Sequence, residues 1–135
     1  MSTFRLEIVT PTRVIDKGEV SYLRCPGSDG QFGILARHTN AMFALAEGEI
    51  KVVSDKETVY LATRGGFAEI TGDTVRLLVE TAEHAAEIDP DRARQALERA
   101  KNRIGEHGPD LDLARAEMSI RRALIRLRVV NRILS

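Results

Sequence analysis

Four arginines in the last third of this chain have the type and spacing to hold phosphate. Arg122 and Arg126 stand four apart and Arg115 seven before Arg122, so all three share one helical face. Arg99 lies on a preceding helical segment, which an antiparallel partner would bring close to them. Guanidinium groups that converge present planar forks of donors to anionic oxygens. The competing reading is an exposed face, solvated or paired with Glu98 and Glu117. Glu83 and Asp89 flank the joint before the helices, where carboxylates suit an adenine amino group or a ribose hydroxyl. The residues by themselves favour the plainer reading, with Glu83 a surface acid and Asp89 a helix cap worth on the order of 1 kcal/mol.

Other chemistry is poorly provided for. His38, His84 and His107 lack metal-ligand spacing, and Cys25 is alone, so neither a zinc site nor an internal disulfide is expected. Arg64-Gly65-Gly66 is too short for a phosphate loop and leads into no helix, which leaves a turn or bulge. No nucleophile has a base near it in sequence, and no catalytic residue is assigned.

These residues must be positioned by two kinds of element. Phe4, Leu6 and Ile8 alternate with Arg5, Glu7 and Val9 as in a half-buried strand. Val14-Ile15 and Val20–Cys25 read as two more, with a turn at Lys17-Gly18 between them. Gln31–Leu35 follows; Met42–Leu45 and Ile50–Val53 read as a hairpin across Glu47-Gly48. Thr58–Ala62, Phe67–Ile70 and Thr74–Glu80 complete eight or more strands. The expected fold is β + α: an N-terminal antiparallel β-sandwich, or flattened barrel, over 1–84, then a C-terminal antiparallel two-helix hairpin over 85–135.

Asp89-Pro90 is a helix-start signal, because the carboxylate accepts from first-turn N–H groups and Pro fits the first helical position. Helix 1, about 90–104, carries the stripe Ala93, Ala96, Leu97, Ala100 and Ile104. Gly105 stops it, Gly108-Pro109 delays resumption, and Asp110 or Asp112 caps helix 2, about 111–133. Its stripe is Leu113, Ala116, Ile120, Ala123, Leu127 and Val130. A seam of alanines buries little area, and at about 25 cal/mol per Å² it stabilises only modestly. The hairpin is therefore expected to be the weaker part, able to detach.

Among 135 residues, 43% are hydrophobic and 30% charged, as in an ordinary soluble chain. No apolar run is long enough to span a bilayer, and MSTFRLEIVT resembles no signal peptide, so a cytoplasm-like compartment is expected. The net charge of zero conceals an asymmetry: residues 1–87 hold 9 Lys and Arg against 13 Asp and Glu, whereas 110–135 hold 6 against 3. An acidic body, and a second helix whose apolar face is needed by the first, both disfavour nucleic-acid binding.

Four segments together resemble one family. Asp29-Gly30-Gln31-Phe32-Gly33-Ile34-Leu35-Ala36-Arg37-His38 is similar to the "EGxFGILxxH" segment of the epsilon subunit of bacterial F-type ATP synthase, with Asp29 in place of its glutamate. Gly65–Ile70 and Leu78–Glu83 resemble that family's "GGFxEV" and "ADxAE" stretches, and Ile88–Ala93 matches its ATP-binding motif I-D-x-x-R-A. The resemblance implies a rotor subunit of the central stalk, with no activity of its own, that couples proton flow to ATP synthesis. It implies a sandwich bound to the gamma subunit and the c-ring, with Asp29, Gln31, His38 and Met42 at that interface. It also implies a mobile hairpin that inhibits ATP hydrolysis when extended among the catalytic alpha and beta subunits. The folded form would bind ATP through Glu83, Ile88, Asp89, Arg92, Ala93, Arg99, Arg122 and Arg126, with Asp89 on the adenine and Arg99, Arg122 and Arg126 on the phosphates. Arg92 has a second possible role, holding the two helices in place. ATP would be a regulatory ligand, with magnesium dependence left open and no cofactor or metal required. The implied location is peripheral, on the cytoplasmic face of the bacterial inner membrane, reached only through the complex. Two alternatives stay open: a stand-alone nucleotide-sensing module, and a basic-helix nucleic-acid binder.

Overall fold

A computed structural model of the chain describes residues 2–105 and 112–134. The chain divides into two compact units, Met1–His84 and Ala85–Ser135.

The first unit contains ten strands: β1 (Phe4–Val9), β2 (Val14–Val20), β3 (Tyr22–Gly27), β4 (Gly30–Leu35), β5 (Ala41–Leu45), β6 (Gly48–Val53), β7 (Thr58–Thr63), β8 (Gly66–Thr71), β9 (Thr74–Val79) and β10 (Ala82–His84). They form two five-stranded sheets, ordered β2-β1-β9-β8-β5 and β10-β7-β6-β3-β4. Every pairing is antiparallel except β1 with β9, which is parallel. Strand alternation supplies the core: Leu6, Ile8, Leu23, Ile34, Ile50, Leu61 and Leu77 are all fully buried.

Two local expectations are corrected. Lys17-Gly18 is not a turn, because β2 runs through it. Leu6 faces Gly18 and Glu7 faces Asp16, which makes Lys17 the extra residue of a bulge. Gly18 takes φ +64, and its N–H donates to the Asp16 carboxylate at 2.8 Å. Met42–Leu45 and Ile50–Val53 are not a hairpin either, since β5 and β6 lie in different sheets. The link at Glu47-Gly48 passes from one layer to the other, so Leu45 and Ile50 enter the core from opposite sides. Gly65-Gly66 also joins the layers, and there the backbone demands glycine. Gly66 has φ +152, and a Cβ on it would lie 2.1 Å from the Leu78 carbonyl oxygen.

The second unit opens with a 3₁₀ turn, Ala85–Glu87, followed by α1 (Pro90–Gly105) and α2 (Leu113–Leu134). The helices pack on each other as an antiparallel hairpin, and the 3₁₀ turn packs on α2. Of the expected stripes, Ala93, Leu97, Ala100, Ala116, Ala123 and Val130 are buried. Ile120 and Leu127 are half-buried, and Leu113, in the first turn of α2, is exposed. Ile125 and Val129 form a second buried line that the stripe did not include. Asp112 caps α2: its carboxylate accepts from the Arg115 N–H at 3.0 Å and its carbonyl from the Ala116 N–H at 3.1 Å. His107, Gly108, Pro109 and Asp110 lie outside the described residues.

Candidate functional site

The segment Ile88–Ala93 is built from the backbone outward. The Ile88 N–H donates to the Ala85 carbonyl at 3.2 Å, closing the turn before the helix. Asp89 then caps α1, its Oδ1 accepting from the N–H groups of Asp91 at 3.0 Å and Arg92 at 3.3 Å. The Asp89 carbonyl accepts from the Ala93 N–H at 3.0 Å. Ile88 and Ala93 are buried. Three of the four fixed residues of the motif thus have a structural task, two in packing and one in capping. Arg92 is the exception: its side chain is exposed and makes no hydrogen bond or ion pair with another described residue.

The arginines obey one rule of placement. Arg92, Arg99 and Arg122 immediately precede Ala93, Ala100 and Ala123, the small residues of the seam. Each is therefore rotated about 100° from the seam in the same sense. In an antiparallel pair, equal rotation puts both arginine lines on the same side of the hairpin. Arg126, one turn beyond Arg122, extends that line. Arg99 is exposed, while Arg122 and Arg126 are half-buried and each already has an interaction within the molecule. The competing reading, in its form of pairs with Glu98 and Glu117, finds no support: among the described residues, neither acid closes an ion pair. Helical periodicity places both on the far side of the seam.

Glu83 belongs to the other unit. It sits on β10 opposite Ala62 of β7, half-buried and not without a partner. Seven of the eight candidate nucleotide residues therefore share the helical unit, and Glu83 is in the sandwich.

Asp29, Gln31, His38 and Met42 are spread over the sandwich. Asp29 is exposed in the β3–β4 turn and Gln31 exposed on β4 opposite Pro26. His38 follows the other end of β4, so the strand holds Asp29 and His38 about 20 Å apart. The His38 ring meets that of Phe43 of β5 in a T-shaped contact, with centroids 5.8 Å apart, and Met42 beside Phe43 is 62% exposed. The four fall into two pairs, one at each end of β4.

Sequence reasoning missed an apolar row across the outer face of the first sheet. Ala44 pairs with Phe67, Phe67 with Leu78, Leu78 with Val9 and Val9 with Val14, so one residue from each of the five strands stands in line. Phe67 is 52% exposed and Val14 61%. The neighbouring row is Met42, Glu69, Arg76, Glu7 and Asp16. Arg76 ties it together by ion pairs of 3.2 Å to Glu7 and 3.6 Å to Glu69. The available signal was Leu78, an apolar residue at a solvent-facing position between the inward-facing Leu77 and Val79.

Among the described residues, no group of three or more His, Cys, Asp and Glu could hold a metal ion. Cys25 is buried, and burial pushes its thiol up to about 12, which keeps it protonated and inert. No described helix is long and apolar enough to cross a membrane.

Comparison with known proteins agrees with both units. Residues 3–85 match the family model of the ATP synthase delta/epsilon chain β-sandwich domain, and residues 86–131 that of its long α-helix domain. The chain is 40% identical over 127 residues to the ATP synthase epsilon chain of Nitratidesulfovibrio vulgaris, covering 94% of this chain and 95% of that one. It is 40% identical over 134 residues to the epsilon chain of Moorella thermoacetica, covering 98% of this chain and all of that one. A chain in the cryo-EM structure of Euglena gracilis mitochondrial ATP synthase has the same fold, with TM-score 0.71 and 23% identity over 97% of this chain and 79% of that one.

Proposed function

We propose, from the premise that this chain belongs to the ATP synthase epsilon-chain family, that it is a non-catalytic rotor subunit regulated by ATP. Its sandwich would dock on the gamma subunit and the c-ring, helping couple rotation to ATP synthesis. Its hairpin would inhibit ATP hydrolysis when extended against the catalytic alpha and beta subunits. Such a subunit would sit at the cytoplasmic face of a bacterial membrane, held there only through the complex.

The observation that carries the regulatory reading is the arginine flank. Arg99 and Arg122 each precede a seam alanine, so their convergence depends on α1 packing against α2. A ligand shifts a two-state equilibrium only by its differential affinity for the states. Phosphates held between the helices stabilise the closed hairpin and leave an opened one unaffected. Arg99, Arg122 and Arg126 would take the phosphates, and Arg92 a further anionic oxygen. Asp89 uses one carboxylate oxygen in the cap, and its other oxygen would meet the adenine amino group. The exposed apolar row favours a docked rotor subunit over a stand-alone sensor, because exposed apolar patches mark partner surfaces. Asp29, Gln31, His38 and Met42 would rim that docking surface.

Thermal denaturation of the full chain with millimolar ATP tests this reading. ATP is expected to raise the melting temperature, and Arg99→Gln and Arg126→Gln to abolish the rise. Asp89→Asn, which keeps a capping oxygen, should weaken the response without the stability loss of Asp89→Ala. No shift in the wild type, together with no heat in calorimetry, would sink the ATP reading.

A further inference from the structure

The arginine flank is longer than a nucleotide needs. Arg103 precedes Ile104 on α1, and Arg115 precedes Ala116 on α2, so both obey the same placement rule as Arg92, Arg99 and Arg122. Arg92 to Arg103 covers eleven residues of helix, about 16 Å along the axis. Arg115 to Arg126 covers the same length on the facing helix. Six guanidinium groups therefore stand in two antiparallel lines on one side of the hairpin.

No carboxylate of either helix interrupts them. Asp91 and Glu98 of α1 and Glu117 of α2 point to the other side by periodicity, and Asp91 is paired there with Arg94 at 2.7 Å. Arg92, Arg99, Arg103 and Arg115 are exposed, and their side chains make no hydrogen bond or ion pair with another described residue. These four exposed cations repel one another, and a multivalent anion relieves that repulsion. A triphosphate is too short to meet all six arginines. A linear condensed phosphate is a flexible chain with a charge on every unit, which suits two parallel rows of planar donor forks.

We propose that the hairpin binds linear inorganic polyphosphate along this flank, using Arg103 and Arg115 in addition to the arginines of the nucleotide site. The proposal builds on the ATP reading but does not require it, since that reading assigns the phosphates to Arg99, Arg122 and Arg126 and to neither Arg103 nor Arg115. Polyphosphate would stabilise the closed hairpin in the same sense as ATP. Its affinity would rise with chain length until both rows are filled.

Calorimetric titration of the full chain with ATP, inorganic tripolyphosphate and a medium-chain linear polyphosphate tests it. The medium chain should bind at least tenfold tighter than tripolyphosphate. The R103Q/R115Q double variant should weaken the medium chain about tenfold, as two exposed charge pairs imply, and leave ATP unchanged. R99Q/R126Q should weaken all three. Equal affinity for tripolyphosphate and the medium chain, or indifference of the medium chain to R103Q/R115Q, overturns the proposal. Duplex DNA bound as tightly, with the same dependence on Arg103 and Arg115, overturns it too, because the flank would then be an unselective polyanion surface. Polyphosphate bound without ATP would refute the nucleotide reading and leave this one standing. ATP bound without a length effect would do the reverse.

Discussion

The sandwich and the hairpin bury different residues, and the difference predicts that the two units are held together with unequal strength. The sandwich interior is made of large aliphatics such as Leu6, Leu23, Ile50 and Leu77, contributed by two sheets. The hairpin seam is Ala93, Ala100, Ala116 and Ala123, with Leu97 and Val130 as its larger members. Full burial of a Leu or Ile side chain contributes about 1.5–3 kcal/mol, against roughly 0.8 kcal/mol for a single carbon. A seam of alanines lets helix backbones approach closely while holding them weakly. On the proposed reading, a ligand worth a few kcal/mol would be enough to hold the hairpin closed, and the sandwich would not respond to it.

The strongest attempt to break this contrast is truncation of each interior in turn. Leu77→Ala should destabilise the chain by about 2–5 kcal/mol and lower the main thermal transition. Leu97→Ala should leave that transition in place and speed amide exchange within α1 and α2. Equal loss of the main transition in both variants would show that the units share one stability and that the contrast fails.

A smaller effect sharpens the sandwich side. Burial raises the folded-state thiol of Cys25 from 9.0 to about 12, so the folded chain holds this proton more tightly than the unfolded one. The stability it confers is complete below pH about 9 and is lost as pH rises from 9 towards 12, at about 1.4 kcal/mol per pH unit. Denaturant titrations of wild type and Cys25→Ala across that window should differ in slope by this amount. Parallel curves would show that the thiol ionises without opening the core.

The smallest effect belongs to the hairpin. Asp89→Ala removes a carboxylate that caps two N–H groups and should cost about 1 kcal/mol. The loss is expected as fraying of the first turn of α1, read by amide exchange at Asp91 to Ala93. Fraying that reached Ile104 would mean the cap, more than the seam, holds the helix.

Most of this architecture was legible in the residue order. Alternation in β1 and the Asp89-Pro90 helix start are local signals with local causes. The failures were non-local. The β5–β6 link has the length and turn residues of a hairpin, and only the partners of each strand, β8 for one and β3 and β7 for the other, show that it changes sheet. The bulge at Lys17 could not be told from a turn, since both use Gly at positive φ. Of the candidate sites, the Asp89 cap was legible because capping involves adjacent residues. The apolar row was not, because its five members come from five strands.

By itself, the sequence determined which residues are helical, which alternate, and that arginine precedes a small or apolar seam residue six times on two helices. Those properties follow from backbone geometry and side-chain period, which act over a few residues. Only the tertiary structure decided that β1 lies parallel to β9 and that Ala44, Phe67, Leu78, Val9 and Val14 form one row. It also decided that the two arginine lines fall on one side. Each depends on which element packs against which, and that choice is made by burial summed over the whole core, not by any one segment.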